Sequence, residues 1–73
     1  MTRSQFEMFC KMISGANEAK VGKYTFLIKE KQNGIYQLQQ QTAGTVITLK
    51  QGTHIECVNA AKECVQMMFE ISD

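Results

Sequence analysis

The feature that most constrains the fold is a run of alternating side chains in the middle of the chain, divided by two turn signals. Residues 23–31, KYTFLIKEK, place aromatic and aliphatic groups on one side of an extended chain and polar groups on the other. The dipeptides Asn33-Gly34 and Ala43-Gly44 are typical of β-hairpin turns. The pattern therefore predicts three antiparallel strands in a meander.

The apolar residues also select the register of the first hairpin. A two-residue loop would place Phe26 and Ile28 opposite glutamines and scatter the apolar groups over both faces. A three-residue loop, residues 32–34, pairs Ile28 with Leu38 and gathers those groups on one face. Because a slip of one residue inverts every side chain, we predict the three-residue loop, with Gly34 in a left-handed conformation and Glu30 opposite Tyr36.

The second turn predicts a two-residue connection at Ala43-Gly44. It pairs Leu38 with Leu49 and Gln40 with Ile47, on the same face as before.

Residues 2–14 have the three-and-four spacing of an amphipathic helix. A capping box of Thr2 with Gln5, or of Ser4 with Glu7, would start it. Gly15 is the predicted left-handed stop, and the following ANEAK could add a further turn. The apolar stripe is Phe6, Phe9, Cys10 and Ile13, widened by Met8 and Met12.

Residues 53–71 predict a second helix, opened by a capping box of Thr53 with Glu56. Its apolar stripe is Val58, Ala61, Val65 and Met68, widened by Cys57, Cys64 and Phe69. Met67 and Ile71 fall on the flank of that stripe, where adaptable apolar side chains could contact a second copy of the chain.

The predicted fold is a single α+β domain over residues 1–73, with the order α-β-β-β-α. One apolar sheet face and two apolar helical stripes are satisfied most simply by a three-stranded antiparallel meander with both helices packed on one face. This order resembles the double-stranded-RNA-binding domain, which implies that fold. The resemblance also implies RNA binding through the first helix, the first hairpin loop and lysines opening the second helix.

The residues that would carry that family's RNA binding are missing. The second helix opens with GTHIECVNAAKEC, where Lys62 is the only base, and the first hairpin has a tight QNG turn. The resemblance therefore supports the fold and argues against the family's usual function.

In the predicted register a row of glutamines points away from the helices. One interpretation is a solvated face that resists aggregation through uncharged polar groups. The other is a recognition face, in which amides form hydrogen bonds and aliphatic groups supply burial. The candidate partner-binding residues are Gln37, Gln39, Gln41, Lys29, Lys31, Leu27 and Thr48, with Lys50 and Val46 on the same face.

No pattern predicts catalysis or metal binding. His54 lies one helical turn from Cys57, but no third orienting group accompanies them. Cys10, Cys57 and Cys64 lack zinc-knuckle spacing and fit core packing. The glycines are isolated and form no phosphate loop. We therefore expect no enzyme activity, no cofactor and no metal.

The net charge of +1 lowers the expectation of nucleic-acid binding, because each neutralised phosphate needs a cation. Three cysteines, an odd number, argue against a disulfide framework. No segment has the apolarity of a signal peptide or membrane span. We expect a cytoplasmic protein without membrane contact, and the start at Met1 suggests a complete small gene product.

The leading functional expectation is a non-enzymatic module that binds another protein, as an inhibitor or adaptor does. Small single-domain chains of this kind are common among phage and mobile-element products that block host defence proteins. One alternative is a nucleic-acid-binding module using Lys29, Lys31 and Lys50. The other is a homo-oligomerising structural subunit, a homodimer for example, using Met67 and Ile71.

Overall fold

The computed structural model describes residues 1–72, so the last residue of the predicted domain, Asp73, lies outside the described residues. The chain forms an α-β-β-β-β-α arrangement with one antiparallel sheet in the order β1-β2-β3-β4. The elements are α1 (Arg3–Ala16), β1 (Glu18–Val21), β2 (Tyr24–Gln32), β3 (Ile35–Thr42), β4 (Thr45–Gly52) and α2 (His54–Met68). The α+β class is confirmed, but the predicted three-stranded sheet has a fourth strand.

The additional strand, β1, forms where the sequence predicted either a linker or a further helical turn. Asn17, not Gly15, ends α1, because Asn17 is the residue with a left-handed conformation (φ 59°). The chain then pairs Ala19 with Phe26 around the Gly22-Lys23 turn. A strand of four residues is too short to display a period of two in the sequence, so this strand was missed.

Helix α1 begins at the earlier of the two predicted capping boxes. The Thr2 side chain accepts a hydrogen bond from the backbone N–H of Gln5, and the Gln5 side chain accepts one from the backbone N–H of Thr2. Phe9 and Ile13 are buried as predicted, whereas Met8 and Met12 are exposed.

The two ends of the chain meet. The N-terminal ammonium group donates to the carbonyl oxygen of Glu70 at 2.7 Å, and Thr2 forms a parallel bridge with Ser72. Helix α2 consequently ends at Met68, three residues before the predicted end, because residues 69–72 turn toward α1 as extended chain.

The predicted register of the first hairpin is confirmed. Ile28 lies opposite Leu38 and Glu30 opposite Tyr36, and Gly34 is left-handed (φ 80°). The connection differs in detail, because Gln32 pairs with Ile35 and the extra residue is a bulge at Lys31. The bulge achieves what the three-residue loop was expected to achieve, which is to keep the apolar residues on one face.

The predicted pairing of the second hairpin is confirmed at one residue pair and wrong at the other. Gln40 lies opposite Ile47 around the Ala43-Gly44 turn as predicted, but Leu38 lies opposite Lys50 rather than Leu49. A bulge at Leu49 shifts the register there.

Both helices pack on the same face of the sheet, as predicted. The ring of Phe9 in α1 meets the ring of Phe26 in β2 edge to face, with centroids 5.6 Å apart. The core that these elements enclose consists of Phe9, Ile13, Ala19, Val21, Phe26, Ile28, Leu38, Cys57, Val58, Ala61 and Val65. Strand β4 contributes no buried side chain.

Two glycine substitutions should have opposite effects. A Cβ at Gly34 would meet no atom within 4 Å, so Gly34→Ala adds only the strain of a left-handed alanine and should destabilise by about 1–2 kcal/mol. Gly15 lies inside α1 and also has room, so Gly15→Ala should stabilise by about 0.5–1 kcal/mol. Urea unfolding of both variants checks this, and a stabilising Gly34→Ala would contradict the assigned turn.

Candidate functional site

The sheet face turned away from the helices, here called the open face, is organised in cross-strand rows. The central row runs Glu18, Leu27, Gln39 and Thr48 from β1 to β4. The row on one side is Lys20, Thr25, Gln41 and Val46, and the row on the other is Lys29, Gln37 and Gln51. Neither helix contributes to this face, because the buried residues of the sheet all have the opposite parity.

Six of the seven predicted partner-binding residues lie together in these rows: Gln37, Gln39, Gln41, Lys29, Leu27 and Thr48. The seventh, Lys31, is the unpaired residue of the β2 bulge and lies exposed at the hairpin end of the face. The three glutamines are half-buried, as is Leu27, whereas Lys29 and Thr48 are exposed.

The amide groups of the open face contact one another. The Nε2 of Gln37 donates to the Oε1 of Gln51 at 2.9 Å, across the β3–β4 pair. This contact fixes the orientation of two amides and leaves further donors and acceptors on each for an external partner. Gln40 has the opposite parity, so its side chain lies on the helix side, where the rim of the core was predicted. Its Oε1 accepts a long hydrogen bond, 3.8 Å, from Cys64 Sγ on α2.

Lys50 was predicted on the open face and lies instead on the helix side. Its partner across the strands is the buried Leu38, because the Leu49 bulge shifts the register by one residue. Hydrogen bonds with the backbone and side chain of Thr53 are the main cause that lowers the pKa of Glu56, and the positive charge of Lys50 lowers it slightly further. The three lysines of the nucleic-acid hypothesis are therefore not on one surface.

His54 has a structural contact rather than a cysteine partner. Its Nε2 lies 2.6 Å from the Oδ1 of Asn17, and its ring packs edge-on against Tyr36 with centroids 5.2 Å apart. The first contact joins the start of α2 to the end of α1, and the second joins it to β3.

The two thiols on α2 are held in their protonated form. Burial is the main cause that raises the pKa of Cys57 and the only cause that raises the pKa of Cys64. Because the thiolate is the nucleophile, both groups are less reactive near neutral pH than an ordinary cysteine. Within residues 1–72, no three His, Cys, Asp or Glu side chains form a cluster that could hold a metal ion.

The predicted oligomer flank is only partly brought together. Met67 is 87% exposed and lines a groove of about 320 Å³ with Leu49, Ala60 and Met68. Ile71 lies beyond the end of α2, in the segment that returns to the N-terminus, and does not line this groove.

A larger groove, about 660 Å³, lies between α1 and β1 and was missed by the sequence analysis. Exposed Met8 and Met12 line it, together with Met1 and Phe69. The spacing of four between Met8 and Met12 was visible in the sequence. The groove itself depends on β1, which was not.

Neither helix among residues 1–72 is long and apolar enough to cross a membrane. Comparison of the chain with protein-family models, with curated proteins and with solved structures finds no match in any of the three.

The Glu56 carboxylate should make the stability of the fold depend on pH. Its pKa is lowered in the folded state, so its contribution is present above pH 4.5, the ordinary pKa of the group, and is lost as the pH falls through the lowered value. Glu56→Gln keeps an oxygen that can accept the Thr53 backbone N–H but cannot titrate. Urea midpoints between pH 7 and pH 3 should therefore fall less steeply in this variant than in the wild type. Glu63→Gln, outside the capping box, is the matched control, and identical slopes for wild type and Glu56→Gln would contradict the assignment.

Proposed function

We propose that the protein is a non-enzymatic module that binds another protein through the open face of its sheet. The observation that carries this proposal is the composition of β3, the strand between β2 and β4. Its eight residues include no charged group, and three of its four outward side chains, Gln37, Gln39 and Gln41, are amides. The mode of action is occupation of a partner's surface, as in an inhibitor or adaptor.

An amide face suits protein recognition for an energetic reason. An ionised side chain that loses water in an interface must regain its hydration energy from a well-placed opposite charge, whereas an amide needs only ordinary hydrogen bonds. Leu27 and Ile35, both half-buried on this face, add apolar area between the amides. The charged residues Glu18, Lys20 and Lys29 lie on β1 and β2, so the centre is neutral and the charges lie toward one side.

Pre-organisation supports the same conclusion. A free glutamine side chain loses rotamer freedom when a partner immobilises it, at a cost of about 0.5–1.5 kcal/mol per side chain. The Gln37–Gln51 hydrogen bond and the half-burial of the three β3 amides restrict this freedom before any partner arrives. A smaller ordering cost remains for the complex.

The alternative, nucleic-acid binding, would use Lys20, Lys29 and Lys31, since Lys50 lies on the helix side. Three cations can neutralise about three phosphates, which gives weak and strongly salt-dependent binding.

The three free cysteines support a cytoplasmic location, because thiols persist in reducing compartments. That the partner is a host defence protein, and the chain a phage or mobile-element product, stays a prediction.

The test is the double substitution Gln37→Glu/Gln39→Glu. It would force two carboxylates to lose water in the interface, so a stoichiometric protein partner recovered from nuclease-treated native cells should bind at least ten-fold more weakly. Asn59→Asp/Gln66→Glu is the matched control, because it adds the same two charges on the exposed side of α2. Isothermal titration with the purified partner measures both.

Three outcomes would overturn the proposal: unchanged affinity in the open-face variant, an equal loss in both variants, or recovery of nucleic acid instead of protein with binding that falls steeply in salt. Circular dichroism and the urea midpoint of each variant confirm that the fold is retained.

A further inference from the structure

We infer that the outer edge of β4 pairs with β4 of a second copy of the chain, antiparallel about a two-fold axis near Ile47. This inference goes beyond the open-face proposal and does not rest on it. Strand β4 is the last strand of the sheet, and among residues 1–72 no further strand pairs with its outer side. Its residues are exposed along its whole length, apart from partly buried Gly52.

The two edges of the sheet differ in a way that identifies β4 as the edge for pairing. Monomeric proteins keep edge strands short or charged, because an open edge is a template for another strand. Strand β1 is four residues long and carries Glu18 and Lys20. Strand β4 has eight residues, and Lys50 is its only charged one.

The tight hairpin determines which backbone groups point outward. Ala43-Gly44 is a two-residue turn, so the flanking residues Thr42 and Thr45 exchange both hydrogen bonds of the first pair. By alternation, Ile47 also directs its N–H and C=O toward β3. Val46 and Thr48 then direct theirs outward, away from the sheet.

These outward groups select one register for self-pairing. An antiparallel edge-to-edge pair needs outward residues opposite outward residues. Within the regular part of the strand, before the Leu49 bulge, two such pairs form only when Val46 lies opposite Thr48 of the other copy. That arrangement makes four backbone hydrogen bonds and places the two copies of Ile47 opposite each other on the axis.

The side chains beside this axis are apolar and exposed. Ile47 is 47% exposed on the helix side of the sheet, and Met67 is 87% exposed on α2 above the same edge. A two-fold axis perpendicular to the sheet keeps both helical layers on one side, so the Ile47 side chains meet in the closely spaced type of antiparallel pair. The groove between Leu49 and Met67 lies beside them and can accept apolar side chains from the other copy.

The charge of the edge is compatible with a second copy, and its area predicts a weak dimer. In this register the two Lys50 residues are six residues apart along the paired strands, about 20 Å, which exceeds the Debye length of about 8 Å at physiological salt. Centred on Ile47, the two β4 strands overlap over residues 45–49, about 17 Å by the usual rise per residue, and the molecule is 18 Å across in its thinnest direction. The strip therefore covers about 300 Å² per copy, below the size of stable interfaces, so the dimer should be weak and should form reversibly toward millimolar concentrations.

Sedimentation equilibrium from micromolar to millimolar concentration tests the dimer, starting from the chain mass of 8.3 kDa. The wild type should approach twice that mass as the concentration rises. Ile47→Glu sets two carboxylates against each other on the axis and should raise the dissociation constant at least ten-fold. Ile55→Glu is the matched control, because Ile55 is also exposed (61%) but lies in the first turn of α2.

Two further measurements test the geometry. Hydrogen exchange at the Val46 and Thr48 amides should slow as the concentration rises. In a chain with Cys10→Ser and Cys64→Ser, Ile47→Cys should form an intermolecular disulfide under mild oxidation and Ile55→Cys should not, because opposed residues on the axis lie within disulfide reach. A chain that stays monomeric at millimolar concentration, or a dimer that Ile47→Glu does not weaken, would overturn the inference.

Discussion

The structure depends on the parity of strand β3. Leu38 is completely buried on the helix side of the sheet, while its neighbours Gln37 and Gln39 face the opposite side. A shift of one residue would bury two amides and expose the leucine together with its cross-strand partner Ile28. The bulge at Lys31 keeps β2 and β3 in the register that directs Leu38 to the core and the neighbouring glutamines to the open face.

The helices cover the sheet unequally, and this asymmetry creates the surfaces available for binding. Helix α2 supplies four of the buried residues and α1 supplies two. Helix α1 lies over β1 and β2, and α2 lies over β2, β3 and β4. Although α2 lies over it, β4 contributes no buried side chain and leaves its apolar side chains exposed. The same layout leaves one face of amides and one edge strand with a single charged residue, Lys50. The two surfaces are adjacent but have different chemistry, and each fits a different kind of contact.

The sequence predicted elements correctly where a pattern was long enough to repeat. The nine residues of β2 and the fifteen of α2 contain several periods each, and the open-face glutamines followed correctly from the β2–β3 register. It failed at short or irregular elements. The four residues of β1 hold too few alternations to distinguish a strand from a linker, and the Leu49 bulge moved Lys50 to the helix side because nothing in the local sequence marks a bulge.

The sequence by itself determined the periodicities of the long elements: which residues form β2, β3 and the two helices, where the two hairpin turns lie, and which side chains of β2 and β3 share a face. These follow from local backbone geometry and from the opposite preferences of apolar groups and amides for water. Tertiary structure decided how much of each helix and strand is buried by the other elements, because burial depends on packing between segments distant in the chain. It placed Ala19 and Val21 in the core, joined Met1 to Glu70, and left Ile47 and Met67 exposed at one edge.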